Sequence, residues 1–174
     1  ANSCLKSLGL KTGESLATVD AETLIKVKDI LREYNKKIVL PFDAIVGKKY
    51  DETFAASKDI NKIENDEIIG DIGPKTLKIY KKIIDESKTI FMNGTAGIYE
   101  EPKYSNGTLE LLNIITSSMA KTIAGGGDCI GAIDKFNMKD KFTYISTGGG
   151  ATLEYIINES LPAINAIADK EEVL

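Results

Sequence analysis

Histidine is absent from the 174-residue sequence, and arginine occurs once, at Arg32. The absence of histidine excludes histidine-dependent catalytic triads, histidine general bases and histidine metal ligands. Any chemistry must therefore come from carboxylates, lysines, hydroxyls, backbone amides or a site that another segment or chain completes.

Cysteines and long apolar runs are also scarce, which narrows the class of protein. The two cysteines, Cys4 and Cys129, lie far apart, so we expect two reduced thiols, with a single disulfide as the alternative. No apolar run approaches the roughly 18 residues of a membrane span, and the first six residues do not resemble a signal peptide. We therefore expect a cytoplasmic protein without membrane contact.

The remaining composition is that of an ordinary globular domain. Hydrophobic residues make up 43% and charged residues 28% of the chain, and 26 acidic against 22 basic side chains give a net charge of −4. A chain of this length can bury a full hydrophobic core without disulfides. The acidic balance argues against nucleic acid as a partner, because nucleic-acid-binding domains usually carry a basic surplus.

Strand and helix signals alternate along the chain. Short apolar runs predict strands at 37–40, 89–92, 121–124 and 142–146. Helical spacing of apolar residues predicts helices over 3–9, 21–34, from Pro74 onward, 107–118, 128–136 and 151–158. Residues 42–73 look irregular, with a short antiparallel pair near 44–46 and 50–54. The repeated strand–helix units predict an α/β fold, a Rossmann-like three-layer sandwich with a mostly parallel sheet.

Two of the predicted strands run directly into triple-glycine turns that precede helices. The first turn covers residues 125–127 and is followed by Asp128, and the second covers residues 148–150. Glycine allows the backbone to approach a ligand closely, and a helix N-terminus directs free N–H groups at that ligand. Ligands of open parallel sheets bind beyond the carboxyl ends of the strands. The pair of turns therefore favours a nucleotide polyphosphate over glycines that serve only tight turns.

Asp128 and Glu100 are the carboxylates best placed for a role at such a site. Asp128 could cap the helix that it opens, hold Mg²⁺ together with phosphate oxygens, or do both. We favour magnesium if a nucleotide binds, because a carboxylate without a metal would repel phosphates. Glu100 could accept hydrogen bonds from ribose hydroxyls, with a solvated loop carboxylate as the simpler alternative. A P-loop motif is absent and the acidic residue of a dinucleotide fingerprint is missing, so a dehydrogenase-like module ranks low.

These segments together resemble the phosphoglycerate kinase family, in the family's order and spacing over essentially the whole chain. The resemblance rests on Gly125-Gly126-Gly127-Asp128, Ser146-Thr147-Gly148-Gly149-Gly150-Ala151-x-Leu153-Glu154, Asn93-Gly94-x-x-Gly97-x-x-Glu100, Gly70-Asp71-Ile72-Gly73-Pro74 and Leu40-Pro41-x-Asp43. The sequence departs from the family at Thr95, where proline is usual, and at Cys129, where threonine is usual. The second departure replaces a hydroxyl near the phosphates by a weaker thiol donor.

The resemblance implies a fold and a reaction. The family's enzyme has two α/β domains and transfers a phosphoryl group between 1,3-bisphosphoglycerate and MgADP, giving 3-phosphoglycerate and MgATP. Residues 1–158 would form an incomplete C-terminal, nucleotide-binding domain, and residues 159–174 would be a tail that in the family returns to the N-terminal domain. The glycerate-binding domain, its catalytic arginine and the first strands of the nucleotide domain would lie outside this chain. We therefore expect the chain alone to be inactive. We also expect its incomplete sheet to self-associate, or to pair with a partner chain that carries the missing strands.

The resemblance also implies roles for individual residues. Nucleotide contacts would come from Asn93, Glu100 at the ribose, Gly126, Gly127, Asp128 and Cys129, magnesium would bind Asp128, and the transferring phosphoryl group would face the helix N-terminus at Gly148, Gly149 and Gly150. Residues 69–73 would form a loop near the adenine. The competing hypothesis is a non-catalytic nucleotide- or phosphate-binding module that uses the same turns.

Overall fold

The computed structural model of the chain describes residues 1–15, 19–48 and 51–171. The α-helices are α1 (Asn2–Ser7), α2 (Ala21–Glu33), α3 (Pro74–Asp85), α4 (Asn106–Thr116), α5 (Gly127–Lys135), α6 (Gly150–Asn158) and α7 (Pro162–Glu171). The strands are β1 (Asp43–Lys48), β2 (Asp51–Asp59), β3 (Glu67–Ile72), β4 (Thr89–Asn93), β5 (Lys121–Gly125) and β6 (Tyr144–Ser146). Single 3₁₀ turns cover Ile60–Lys62, Pro102–Tyr104 and Lys139–Lys141.

The parallel sheet, in the order β4-β5-β6, carries the predicted strand–helix units. Asn93 pairs in register with Gly125, and Gly125 with Ser146, so the three strands end side by side. Each strand is followed by a helix, α4, α5 or α6. The α/β class, the parallel sheet and the positions of these units are therefore confirmed.

Within residues 42–73, the strands β1, β2 and β3 form a second, antiparallel sheet in the order β2-β1-β3, where an irregular segment was expected. The expected antiparallel pairing of 44–46 is confirmed, but its partners are 56–58, and Tyr50 of the predicted partner lies outside the described residues. The third strand, β3, was not predicted. As a result, residues 69–72, expected in a loop, are strand, and only Gly73 follows as the N-cap of α3.

Buried carboxylates explain why the sequence pattern of this sheet is hard to recognise. Asp43, Glu67 and Asp71 are each 1% exposed, so charged residues occupy core positions on β1 and β3. Asp43 accepts hydrogen bonds from the N–H groups of Lys75 (2.9 Å) and Thr76 (2.8 Å), which caps α3 from a neighbouring strand. The Glu67 carboxylate lies 2.6 Å from Lys58 Nζ. Each buried charge is thus paired or hydrogen-bonded, as burial requires.

The predicted strand at 37–40 is wrong. Helix α2, which Asp20 caps by accepting from the Thr23 N–H at 2.7 Å, is followed by a turn through residue 37. Residues 38–40 then belong to no strand, and the Tyr80 hydroxyl donates to the Val39 carbonyl at 3.0 Å. The apolar run has strand propensity, but a strand exists only through pairing, and no strand in the described part of the chain pairs with it.

The main core lies between the parallel sheet and its helices. Leu112 of α4 and Cys129 and Ile133 of α5 are fully buried, and they pack with Met92 of β4 and Ala124 of β5. Cys4 and Cys129 are free thiols, so the single-disulfide alternative is wrong. Within the described ranges, no helix has both the length and the apolar character needed to cross a bilayer.

Candidate functional site

Three turns meet at the carboxyl edge of the parallel sheet. They follow Asn93, Gly125 and Ser146, the residues that the strand register places next to one another. Helix α5 begins two residues after β5, and helix α6 begins four residues after β6. Since the first N–H groups of a helix lack acceptors within it, this edge presents two sets of free backbone donors. The two glycine turns singled out in the sequence therefore lie together.

Gly126 has a backbone conformation that other residues rarely adopt. Its φ is 90°, and it is the N-cap of α5, with its carbonyl accepting the Ile130 N–H at 3.0 Å. A Cβ at this position would lie 3.2 Å from Asn93 Nδ2, so the glycine also lets the Asn93 amide approach the turn. The Gly149 N-cap of α6 likewise has a positive φ, of 52°. Both turns thus need glycine for backbone reasons.

The substitution Gly126→Ala is expected to lower the free energy of unfolding by about 1 to 3 kcal/mol, because alanine is strained at this φ. Gly127→Ala is the matched control. Its φ is not positive and its Cβ would meet nothing within 4 Å, so alanine in this first helical position should be neutral or slightly stabilising. Urea unfolding of both variants measures the difference. Equal changes in the free energy of unfolding in the two variants would show that the positive φ of Gly126 does not require glycine.

Asp128 lies in the first turn of α5 and is exposed. The helix begins at Gly127, one residue earlier than predicted, and Gly126 is its N-cap, so the capping role considered for Asp128 is wrong. The Asp128 carboxylate makes no hydrogen bond or ion pair with the residues that the structure describes. A carboxylate next to a helix N-terminus is electrostatically favourable, and this one keeps its oxygens open to a ligand.

Cys129 is fully buried, and its thiol donates to the Met92 carbonyl at 3.7 Å. Burial raises the pKa of this thiol, which keeps it protonated. The side chain therefore packs in the core, and the predicted nucleotide contact of Cys129 can apply only to its backbone N–H in the first turn of α5.

The β4–α4 loop, residues 94–105, brings Glu100 to the same side of α5 as Asp128. Lys135 Nζ, from the end of α5, donates to the carbonyls of Tyr99 (2.7 Å) and Glu100 (3.1 Å). The pKa of the Tyr99 hydroxyl is raised, by desolvation and by the negative charges of Glu100 and Asp128. Glu100 itself is exposed at the tip of the loop. Both predicted carboxylates thus act on the Tyr99 hydroxyl, beside α5.

A cavity of about 460 Å³ opens beside this loop. Its walls come from residues 1–3, 68–70 and 95–98, together with Glu14. This volume lies in the range of small-molecule sites, which is about 300 to 1,000 Å³. Residues 69 and 70 line the cavity, although they belong to β3 rather than to a loop. Within the described part of the chain, no group of three or more acidic or cysteine side chains could hold a metal alone.

Asp71 lies behind the β4–α4 loop and has a role that the sequence analysis did not assign. Its carboxylate accepts hydrogen bonds from the N–H groups of Gly107 (2.5 Å) and Ile72 (2.9 Å). Burial raises the pKa of this carboxyl to about 6, because the two backbone donors offset only part of the desolvation. The sequence feature that could have indicated this buried role is an aspartate inside an apolar run, followed by Ile72-Gly73-Pro74.

The stability of the chain is expected to rise as the pH falls from 7 to 5. The pKa of Asp71 is higher in the folded state, about 6 against 3.8, so the folded chain binds the proton more tightly and gains about 1 kcal/mol over this interval. Asp20, Asp59 and Asp66 have lowered pKa values, and the stability they contribute is lost only at lower pH. Urea unfolding at pH 5, 6 and 7 tests this, and Asp71→Asn should abolish the rise. A rise that persists in Asp71→Asn would assign it to another group.

Comparison with known proteins gives a consistent result over nearly the whole chain. A family model described as phosphoglycerate kinase matches residues 1–159. The phosphoglycerate kinase of Dictyoglomus turgidum is 40% identical over 169 residues, covering 95% of this chain and 43% of that protein. That of Oenococcus oeni is 42% identical over 169 residues, covering 93% and 40%. The chain thus spans about two fifths of the length of the curated relatives it matches.

Solved structures give the same result for the fold. The structure of phosphoglycerate kinase from Coxiella burnetii matches with a TM-score of 0.87 and 36% identity, covering 99% of this chain and 45% of that one. That of phosphoglycerate kinase from Pyrococcus horikoshii matches with a TM-score of 0.83 and 27% identity, covering 99% and 44%. Both parallel and antiparallel sheets therefore fall within the matched fold.

Proposed function

The chain belongs to the phosphoglycerate kinase family, and we propose that it binds magnesium–ADP or magnesium–ATP at the carboxyl edge of its parallel sheet. The observation that carries this proposal is the meeting of two helix N-termini with the open carboxylate of Asp128 at that edge. Free backbone donors suit phosphate oxygens, and a carboxylate beside phosphates suits a divalent cation.

The geometry supports a role for each predicted contact. The free N–H groups of Gly127, Asp128 and Cys129 would bind phosphate oxygens, and the Asn93 amide would donate beside the Gly126 turn. Glu100 would accept from the ribose hydroxyls, since it lies on the loop that borders the cavity of about 460 Å³. The base would occupy that cavity.

Asp128 fits a magnesium ion by the chemistry of its donor set. Mg²⁺ is usually held by one or two carboxylates together with phosphate oxygens and water. Asp128 is exposed, makes no hydrogen bond or ion pair with the described residues, and lies beside the donors that would bind the phosphates. The bound cation would neutralise the phosphate charge, and Asp128 would orient it.

The proposed reaction of the whole protein is phosphoryl transfer between 1,3-bisphosphoglycerate and MgADP, a step of glycolysis in the cytoplasm. Such transfer needs positioning and charge neutralisation more than covalent chemistry. The N-terminus of α6 would face the transferring group through the N–H groups of Gly149 and Gly150. The Gly148 N–H instead donates to the Ser146 hydroxyl at 3.3 Å, so Gly148 would shape the turn rather than bind the group. The glycerate site and its arginine would come from a domain beyond residues 1–158, to which residues 159–174 would return.

Calorimetric titration of MgADP into the folded chain tests the proposal. We expect one saturable site that requires Mg²⁺, and no binding of NAD⁺. Binding of inorganic phosphate with the same affinity as MgADP would instead favour a general phosphate-binding module. Binding of NAD⁺ without Mg²⁺, or no nucleotide binding by a chain whose circular dichroism shows it folded, would contradict the proposal.

Self-association through β4 is a further expectation of the proposal. β4 is an edge strand, and a cavity of about 330 Å³, lined by residues 90–96, Pro41 and Tyr80, runs along it. An unpaired edge beside apolar surface favours pairing with another copy of the chain. Sedimentation velocity should show a coefficient that rises with concentration, and Thr89→Lys should reduce the rise. A monomer at every concentration would contradict the expectation.

A further inference from the structure

The β4–α4 loop is anchored from inside the protein by a buried hydroxyl. Thr108, in the first turn of α4, is 0% exposed, and its Oγ1 accepts the Gly97 N–H at 3.1 Å. On the strand side of the loop, the Ile98 N–H donates to the Gly70 carbonyl at 2.8 Å. Two neighbouring loop amides are therefore bound to two different elements, α4 and β3.

The buried Asp71 carboxylate packs against both ends of this anchor, the loop and the start of α4. A Cβ at Gly97 or at Gly107 would overlap the Asp71 carboxylate, so the loop and the start of α4 both pack directly on it. The same carboxylate accepts the Gly107 N–H, which fixes the first turn of α4 and with it Thr108. The hydroxyl that holds Gly97 is therefore itself held in place.

Glu100 is linked to this anchor only through the backbone of the loop. It lies three residues beyond Gly97, and a carboxylate that must meet two ribose hydroxyls tolerates little displacement. On its outer side the loop is held by Lys135, an exposed side chain. A flexible surface lysine orders a loop less firmly than a buried hydroxyl, because water competes for the hydrogen bonds of the exposed lysine.

We propose that Thr108, supported by Asp71, is a positioning residue for nucleotide binding: it holds Gly97 and thereby sets the place of Glu100. This inference rests on the proposed nucleotide site. It assigns a share of the nucleotide affinity to a side chain that touches no ligand.

Thr108→Val tests the inference, because valine keeps the shape of the side chain and removes the acceptor of the Gly97 N–H. Thr108→Ser restores the hydroxyl. Thr122→Val is the matched control: Thr122 is 4% exposed, and its Oγ1 accepts the Thr143 N–H at 3.0 Å near the start of β5, at the opposite end of the strand. We expect MgADP affinity to fall about tenfold in Thr108→Val, to recover in Thr108→Ser and to stay unchanged in Thr122→Val.

Hydrogen exchange of the ligand-free protein separates the anchor from the nucleotide site. Exchange at Gly97 and along residues 95–100 should speed up about tenfold in Thr108→Val and stay unchanged in the serine and Thr122 variants. If the unsubstituted chain does not bind MgADP, the proposed function fails. Hydrogen exchange of residues 95–100 then tests by itself whether Thr108 anchors the loop. Unchanged exchange, or unchanged affinity in a Thr108→Val protein that binds MgADP, would overturn the inference. Thr108→Ala is read in the same way if the valine variant does not fold.

Discussion

Replacing Asp128 by asparagine is expected to lower MgADP affinity at least tenfold and to remove most of the dependence of binding on Mg²⁺. The asparagine side chain keeps an amide oxygen but loses the negative charge, so it binds the cation much more weakly than the carboxylate does. The fold should be unaffected, because Asp128 is exposed and makes no hydrogen bond or ion pair with the described residues. Calorimetry with and without Mg²⁺ measures the binding. The free energies of unfolding of Asp128→Asn and of the unsubstituted chain, measured with urea, should agree within about 0.5 kcal/mol.

Asp140→Asn is the matched control for this effect. Asp140 is an exposed aspartate in the 3₁₀ turn Lys139–Lys141, which precedes β6 and so lies at the opposite end of that strand from the glycine turns. Both substitutions change the net charge by the same amount. Equal losses of affinity would indicate a general electrostatic effect, and unchanged magnesium-dependent binding in Asp128→Asn would exclude Asp128 as the magnesium ligand.

A polypeptide of these 174 residues is expected to show no phosphoglycerate-dependent ATP turnover. Transfer requires cations around the oxygens of the moving phosphoryl group, and one such arginine is worth about 10³ to 10⁵ in rate. The single arginine, Arg32, is exposed on α2, and the residues that line the cavity of about 460 Å³ include neither lysine nor arginine. Nucleotide binding without turnover is therefore the expected behaviour.

A coupled assay with 3-phosphoglycerate and MgATP measures this turnover, and an added active phosphoglycerate kinase shows that the assay responds. Turnover by the chain that is lost in Asp128→Asn would contradict the prediction, because the activity would then come from this chain. Turnover that survives in Asp128→Asn would point to a contaminating enzyme.

The parallel half of the fold could be predicted from the sequence because its signals are local. The run from Thr89 to Met92 is apolar, and glycine turns follow β5 and β6 directly. Of the antiparallel sheet, only the pairing of 44–46 was predicted, and the strand β3 was not. Asp43, Glu67 and Asp71 interrupt the apolar pattern of this sheet, and their burial becomes acceptable only through partners distant in sequence. The strand predicted at 37–40 failed for the related reason that strand pairing is not a local property.

The candidate site was predictable in its position but not in the direction of its side chains. The glycine turns and Asp128 follow strand ends, so their meeting at one edge was expected. The orientation of α5 about its own axis decides which side chains face the core, and the structure is needed to see it. The Cys129 thiol faces the Met92 carbonyl in the core, while the adjacent Asp128 is exposed. Thr108 and Asp71 act through contacts between a loop, a strand and a helix, and residue spacing does not reveal such contacts.

Paramagnetic broadening by manganese–ADP shows directly whether the nucleotide binds at the carboxyl edge of the parallel sheet. Mn²⁺ replaces Mg²⁺ at oxygen sites and broadens the NMR signals of nearby amides. If the nucleotide binds at the carboxyl edge, signals of residues 125–129 should broaden first and those of 147–150 and 94–100 next, while signals at the opposite end of the sheet, near Lys121, should broaden least. Broadening centred on any other surface, or none at a concentration where calorimetry shows binding, would contradict the account.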